Sequence, residues 1–204
     1  MNKEKRAYLC DVQTRTDEKH GNVIEGIPIV YDAETDIGGM WREIVDRGAL
    51  DQADLKDVRF LVNHDIDSIP LARSRNNNEN STMQMTVEPD GLHIRVDLDT
   101  EGNPRAKELY SAVKRQDISG MSFMFSVKDD RWEDVDSDYP TRHITALDKV
   151  FEVSAVTFPA YEQTSINARS VETGQASLDS AREALENARK VEELRKQILE
   201  RCKK

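Results

Sequence analysis

The sequence has no apolar run that approaches the roughly 20 residues of a membrane-spanning helix. Its first residues, MNKEKRAYLC, lack the apolar core of a secretory signal peptide. Positive charge is also in deficit, because 39 acidic residues against 29 Lys and Arg give a net charge of −10. Phosphate-backbone binding relies on clustered Lys and Arg, so this balance disfavours nucleic acid. We therefore expect a protein of the cytoplasm, with neither a membrane nor a nucleic acid as its partner.

Cysteine and histidine are too scarce and too scattered to predict a disulfide framework or a zinc site. Cys10 and Cys202 stand near opposite ends of the chain, so we expect two reduced thiols. Asp134, Asp136 and Asp138 resemble the opening of a calcium loop, but other residues occupy its Gly and Glu positions. The sequence therefore predicts no metal and no other cofactor.

Alternating apolar and polar residues predict a mostly antiparallel sheet in the first half of the chain. The predicted strands are Tyr8–Val12, Val23–Tyr31, Val58–His64, Met83–Val87 and Leu92–Leu98. The turn chemistry of Glu88–Gly91 predicts a hairpin, and Pro104 begins a helix that runs to about Gln116. Two further strands are predicted over Ile118–Val127 and His143–Phe158. Together these elements indicate an α+β fold.

The composition changes after the last predicted strand. Residues 1–161 form the predicted folded domain, and residues 162–177 are rich in Ser, Thr, Asn, Gln and Gly, which is typical of a linker. Residues 178–204 have no Gly or Pro and are rich in Ala, Leu, Glu, Lys and Arg, which predicts a C-terminal helix. We expect this helix to act as a docking element or a coiled coil. The alternative is a strut folded back onto the domain.

One predicted strand carries a candidate nucleophile. Period-two alternation over Ile118–Val127 sends Gly120 and Ser122 to one face and the large apolar residues to the other. Gly120 leaves room for a substrate carbonyl beside Ser122, although a Ser in such a place more often fills a half-buried strand. The strand-turn-helix elbow of G-x-S-x-G hydrolases is absent, which disfavours a small-molecule esterase. Ser119, on the opposite face, is the fallback nucleophile.

His64 and Glu152 are the candidate partners of Ser122. Alternation puts His64 on the face of Phe60 and Val62, and Glu152 on an apolar face with Val150. A carboxylate on such a face needs a partner, either a Lys or Arg or an imidazole. In the second case Glu152 would hold His64 in the tautomer that abstracts a proton. The alternative is an ordinary core or rim histidine.

Short motifs in these segments resemble the tailed-phage prohead protease family, whose fold is similar to that of herpesvirus assemblins. The resemblance covers most of residues 20–166. The motifs are Asp46–Leu50, Val62–Asp65, Pro70–Arg73, Gly91–Leu92, Ser119–Phe123 and Phe151–Tyr161. The resemblance places the family's serine at Ser122, its histidine at His64 and the third member at Glu152. It also implies an assemblin-like, antiparallel β-barrel-like core with packed helices.

The family pattern leaves two points open in this chain. Met124 stands where family members commonly carry Gly. Assemblins use a second histidine as the third member, so His93 and His143 remain alternatives to Glu152. Backbone amides are the expected oxyanion donors, with Arg73 or Arg142 as possible helpers.

The resemblance implies a serine endopeptidase that matures a phage prohead. It would cleave the scaffold protein or the scaffolding segment of the major capsid protein, and itself, without a cofactor. It would act in the host cytoplasm inside the immature capsid and would self-associate. The alternative is a non-proteolytic capsid-assembly or scaffold-like protein that works through its C-terminal helix.

Overall fold

The computed structural model describes residues 3–9, 12–17, 21–157 and 168–202. It is a mixed α+β fold, mostly strands, with a C-terminal helix. The elements are β1 (Glu4–Leu9), β2 (Gln13–Asp17), β3 (Gly21–Val30), β4 (Glu34–Ile37), β5 (Trp41–Val45), β6 (Asp57–Val62), β7 (Ala72–Arg75), β8 (Met83–Glu88), β9 (Gly91–Leu98), α1 (Pro104–Lys114), β10 (Gly120–Glu133), β11 (Thr141–Val156) and α2 (Ala168–Cys202). Among these residues, no helix is both long and apolar enough to cross a membrane.

The strands form two sheets. The seven-stranded sheet follows the order β1-β10-β11-β5-β4, with β6 on β11 and β7 on β6, and the four-stranded sheet follows β2-β3-β9-β8. Most pairs are antiparallel, as predicted, but β11 pairs in parallel with β5 and with β6. The described strands do not close into a barrel. The predicted barrel-like core is therefore not found in the described strands, which form two sheets, and the assemblin-like arrangement stays a prediction.

One apolar core lies between the two sheets and α1. It takes Ile24 and Leu92 from the smaller sheet, Phe60 and Phe123 from the larger one, and Leu109 from α1. Helix α1 begins at Pro104 as predicted, and its preceding residue caps it by accepting a hydrogen bond from a first-turn amide. The predicted β8-β9 hairpin is also present. These elements confirm the local patterns read from the sequence.

Several strands differ from the prediction. The short strands β2, β4, β5 and β7 were not predicted, because they have few residues and weak alternation. Strand β10 continues to Glu133, beyond the predicted end at Val127. Its extra residues stay in the sheet because they pair with the first part of β11, where Asp130 accepts a hydrogen bond from Arg142.

A network of buried charges joins β1, β5 and β11. Glu4, Arg6, Glu43 and Arg142 are each at most 3% exposed. Arg6 binds both carboxylates, at 2.7 Å from Glu4 Oε2 and 2.7 Å from Glu43 Oε2. Arg142 binds the same two oxygens, at 2.8 and 3.1 Å. Arg142 also binds Asp130 Oδ2 at 2.7 Å, so Arg142 is held in this network rather than free to assist an oxyanion.

Helix α2 begins at Ala168, well before the predicted start at 178. The predicted linker, residues 162–177, is therefore wrong over 168–177, and residues 162–167 lie outside the described part of the chain. Packing explains the difference, because Gly174 lies against Trp41 and Leu178 is 3% exposed. Tertiary contact stabilises a segment whose composition alone disfavours a helix. The division into domains and the docking role stay predictions.

The carboxylate of Glu43 provides a test of the buried charge network. Burial raises the pKa of Glu43, but Arg6 and Arg142 outweigh burial, so the net pKa is lowered. Glu43→Gln should lower the free energy of unfolding near neutral pH by up to about 3–5 kcal/mol, because it removes a carboxylate that binds both buried guanidinium groups and leaves Arg6 with the carboxylate of Glu4 alone.

The pH dependence of that loss follows from the lowered pKa. The stability that ionised Glu43 contributes is present above the pKa of an unfolded Glu and is lost as the pH falls through the folded-state pKa. The difference between variant and wild type in chemical denaturation should therefore narrow in acid. Glu34→Gln, which removes a carboxylate from an exposed pair with Arg42, is the control. Equal effects of the two variants would contradict the network's role.

The contact between Gly174 and Trp41 provides a second test. A Cβ at position 174 would lie 2.5 Å from Trp41 Cζ2. Gly174→Ala should lower the free energy of unfolding by about 1–3 kcal/mol through overpacking, although Ala is the better helix former by about 1 kcal/mol. Ser180→Ala, at an exposed position of the same helix, should be neutral or slightly stabilising in thermal unfolding. A stabilising Gly174→Ala would mean that α2 does not pack on Trp41.

Candidate active site

Ser122 lies in β10, between β1 and β11. Its cross-strand partners are Ala7 on β1 and Ser154 on β11. The residue is 1% exposed, and its Oγ donates a hydrogen bond to the Arg6 carbonyl at 2.7 Å. A hydroxyl has a single proton, so in this structure the proton of Ser122 points toward β1 and not toward a base.

His64 lies in a turn immediately after β6. The strand ends at Val62, and Asn63 and His64 have positive φ values of 51° and 57°. This left-handed conformation turns the chain out of the strand direction. The prediction that placed His64 on the face of Phe60 and Val62 is therefore wrong, because alternation holds only while the strand continues. The turn instead directs the imidazole to Glu152.

Hydrogen bonds to β11 hold this turn. The Asn63 N–H donates to the Ala155 carbonyl at 2.9 Å, and the Asn63 side chain accepts from the Thr157 N–H at 2.9 Å. Asn63 Nδ2 also donates to Thr157 Oγ1 at 3.0 Å. Residues in the left-handed region each store about 1–3 kcal/mol of strain, which persists only where the surroundings fix them. The end of β11 therefore positions His64.

The imidazole of His64 is the partner of the Glu152 carboxylate. The distance from His64 Nδ1 to Glu152 Oε1 is 2.5 Å, and the side chains are 16% and 3% exposed. A neutral imidazole that donates through Nδ1 presents Nε2 as an acceptor, which is the arrangement a general base needs. Of the two partners that the sequence left open, the structure thus has the imidazole rather than a Lys or Arg.

A β-bulge in β11 separates Glu152 from its apolar neighbour. Met124 pairs with Glu152 and the next residue of β10, Phe125, pairs with Val150, so Phe151 is the extra residue. Val150 accordingly lies in the core cluster, while Glu152 faces His64. The prediction that Val150 and Glu152 share a face is wrong for this reason.

Ser154 bridges the two partners, and sequence reasoning assigned it no role. Its Oγ donates to Glu152 Oε2 at 2.6 Å and accepts from the His64 N–H at 3.1 Å. The available signal was its position two residues after Glu152, which puts both side chains on one face of the strand. Ser122 is on that face too, because it pairs directly with Ser154.

The residues that the sequence left as alternatives for the site lie away from the contact between His64 and Glu152. His143 Nδ1 pairs with Asp46 at 2.7 Å. It lies in β11 roughly 30 Å along the strand from Glu152, at about 3.3 Å per residue. Ser119 is exposed and precedes β10. Arg73 pairs with Asp57 at 2.7 Å. The structure thus pairs His64 with Glu152 on the sheet face that bears Ser122, and places these alternatives in other contacts.

The β8-β9 turn holds a group of possible metal ligands. Glu88, Asp90 and His93 bring three ligand atoms within 4.8 Å of one another. His93 Nε2 is already 2.8 Å from Asp90 Oδ1, and that contact lowers the pKa of Asp90. His93 therefore belongs to the smaller sheet's hairpin, which does not contribute to the group around Ser122.

Comparison with known proteins agrees with the motifs. The family model described as Caudovirus prohead serine protease matches residues 10–177, which is more than half of the chain. The solved structure of the bacteriophage T4 capsid assembly protease gp21 is similar at 16% sequence identity and a TM-score of 0.39, and the match covers 76% of this chain and 99% of that chain. No curated protein matches the chain. The family resemblance is thereby confirmed.

The turn that carries His64 gives a testable prediction. Asn63→Gly keeps the left-handed backbone accessible but removes the side-chain bonds to Thr157, whereas Asn63→Ala also opposes the backbone conformation. The Ala variant should be less stable than the Gly variant by about 1–2 kcal/mol, measured by chemical denaturation. Equal stability of the two variants would show that residue 63 is not left-handed in solution.

Proposed function

We propose that this chain, which belongs to the Caudovirus prohead serine protease family, is an endopeptidase with Ser122 as nucleophile, His64 as general base and Glu152 as the third member. The observation that carries this proposal is the 2.5 Å contact between His64 and the buried Glu152, on the sheet face that also bears Ser122. Burying a carboxylate beside a histidine costs stability, and pairs that carry such a cost cluster at functional sites.

The proposed chemistry has two steps. Ser122 Oγ attacks the peptide carbonyl carbon while His64 Nε2 takes the hydroxyl proton, and Glu152 stabilises the resulting imidazolium. His64 then gives that proton to the leaving amine as the C–N bond breaks, which leaves an acyl group on Ser122. Water, deprotonated by the same imidazole, attacks the acyl carbon. The imidazolium then returns the proton to Ser122 Oγ as the ester bond breaks and the carboxylic acid product leaves. No cofactor enters either step.

Ser122 has to change its hydrogen-bond partner before it can react. Rotation of Oγ away from the Arg6 carbonyl gives up one hydrogen bond, which costs about 1 kcal/mol. Removal of β1 would instead separate Glu4 and Arg6 from buried partners, at several kcal/mol. Rotation is therefore the cheaper route to His64. Because Ser122 is 1% exposed, substrate binding must also uncover the hydroxyl.

The proposed substrates are the scaffold protein, or the scaffolding segment of the major capsid protein, inside the immature capsid of the infected cell. We also propose self-cleavage between β11 and α2. A packed helix does not enter a protease cleft, so the helical part of residues 162–177 is a poor target, and the expected cut falls in 162–167. Self-association and an assemblin-like core are part of the same proposal.

A second candidate function rests on the end of α2. Val191, Leu194, Ile198 and Leu199 are 49–61% exposed, which leaves apolar side chains for a partner helix. A scaffold-like protein that acts through this helix, without proteolysis, would use the same surface.

Mass spectrometry of active-site variants distinguishes the two functions. Wild type, Ser122→Ala, His64→Ala and Glu152→Gln would each be incubated with the major capsid protein, with Ser119→Ala as the control. We expect no cleavage from the first two variants and a slow remnant from Glu152→Gln, at a loss of up to about 10⁴-fold. Circular dichroism checks that each variant is folded.

Two results would contradict the protease proposal. Cleavage by Ser122→Ala at the wild-type rate would exclude Ser122 as the nucleophile. An intact capsid protein with the wild type, together with co-assembly that depends on residues 191–199, would instead support the scaffold-like function.

A further inference from the structure

Ser154 stands at the centre of the proposed site but belongs to none of its three roles. It is fully buried in β11, with Ser122 opposite on β10 and Leu61 opposite on β6. Its Oγ donates to Glu152 Oε2 at 2.6 Å and accepts from the His64 N–H at 3.1 Å. One hydroxyl thus contacts two of the three proposed members.

These two contacts constrain the carboxylate of Glu152. Its Oε1 binds the imidazole and its Oε2 binds Ser154, so the carboxylate plane is held at both oxygens. A carboxylate held only by the imidazole could rotate about its last side-chain bond and take the ring with it. Ser154 therefore fixes the acceptor that orients the ring of His64.

The second contact constrains the backbone of His64. The residue has a φ of 57°, a conformation that a side chain with a Cβ rarely adopts without support. Ser154 provides that support, because its Oγ accepts the His64 N–H that the turn removes from the β-sheet. Ser154 Oγ thus positions the main chain of His64 directly and its ring through Glu152.

We propose that Ser154 is a positioning residue for the proteolytic step, which holds both the backbone of His64 and the carboxylate of Glu152. The proposal rests on the proposed function. Ser154 is a poorer nucleophile than Ser122, because turning its hydroxyl to the imidazole would break two hydrogen bonds, with Glu152 and with the His64 N–H, whereas Ser122 gives up one. Since a misplacement of about 1 Å in a catalytic group costs about 10²-fold in rate, loss of this hydroxyl should slow chemistry without preventing folding.

The chain offers a matched control in Ser126. This residue is 2% exposed and its Oγ also donates to a carboxylate, that of Asp148, at 2.9 Å. Ser126→Ala and Ser154→Ala therefore delete the same kind of bond from neighbouring strands of one sheet. Only the second deletion touches the proposed site. If Ser154 had a structural role alone, Ser154→Ala and Ser126→Ala would have the same labelling rate and the same His64 resonance.

The experiment combines a kinetic and a spectroscopic readout on the full chain. A fluorophosphonate probe phosphonylates an activated serine, and intact-mass spectrometry with peptide mapping gives the rate and the residue. Labelling rates measured over a range of probe concentrations give the maximal labelling rate and, separately, the probe concentration at half-saturation. In parallel, the Nδ1–H proton resonance of His64, identified by its loss in His64→Gln, reports the contact with Glu152.

The proposal predicts a fall of about 10–100-fold in the maximal labelling rate of Ser154→Ala, with half-saturation unchanged. Ser126→Ala should label within about twofold of wild type. The His64 resonance should shift or broaden in Ser154→Ala alone. Both variants should lose melting temperature, and Ser154→Ala should lose more because it also leaves the His64 N–H without its acceptor. If Ser154→Ala does not fold, Ser154→Cys, with a weak donor of similar size, carries the same comparison.

Each contrary result has a distinct meaning. If Ser154→Ala matches Ser126→Ala in labelling rate and in the His64 resonance, the positioning role is overturned while the protease proposal stands. A label on Ser154 in the Ser122→Ala protein would make Ser154 a nucleophile and also overturn the role. Absence of label from the wild type would count against the proposed function instead, and the His64 resonance alone would then decide whether Ser154 holds that histidine.

Discussion

The buried carboxylate of Glu152 is the constraint on which the site depends. A carboxylate that is 2% exposed is costly without hydrogen bonds, and the sheet face that β11 shares with β10 and β6 supplies one to each oxygen. His64 supplies one by leaving the strand direction at Val62, and Ser154 supplies the other. The bulge at Phe151 turns Glu152 to this face, the strained turn brings His64 to it, and Ser154 lies opposite Ser122 on the same face.

Strand β11 connects this site to the rest of the fold. Near its start, Arg142 enters the buried charge network with Glu4 and Glu43, and near its end Glu152 and Ser154 contact His64. The same strand pairs with β10, which carries Ser122, along most of its length. A rigid strand anchored at both ends holds the candidate nucleophile and base in a fixed relation. Helix α2, by contrast, buries Leu178 near its start and contacts the residues after β10 through Arg182 and Arg189.

Local sequence patterns predicted the elements whose causes are local. The β8-β9 turn, the Pro104 start of α1 and the two long strands around Ser122 and Glu152 follow from turn chemistry, capping and alternation. The need of Glu152 for a partner also followed from one strand's pattern. What could not be predicted depends on contacts between distant segments. Alternation does not show that β6 stops at Val62, and composition does not show that Gly174 fits against Trp41.

A crystal structure of the protein after reaction with a fluorophosphonate tests the central claim most directly. Our account predicts a covalent bond from phosphorus to Ser122 Oγ, with that oxygen turned away from the Arg6 carbonyl. It also predicts His64 Nε2 within hydrogen-bond reach of Oγ or of the phosphonate oxygen, at roughly 3 Å, while Nδ1 keeps its contact with Glu152. An adduct on Ser119 or Ser154, or a phosphonylated Ser122 with His64 out of hydrogen-bond reach, would contradict it.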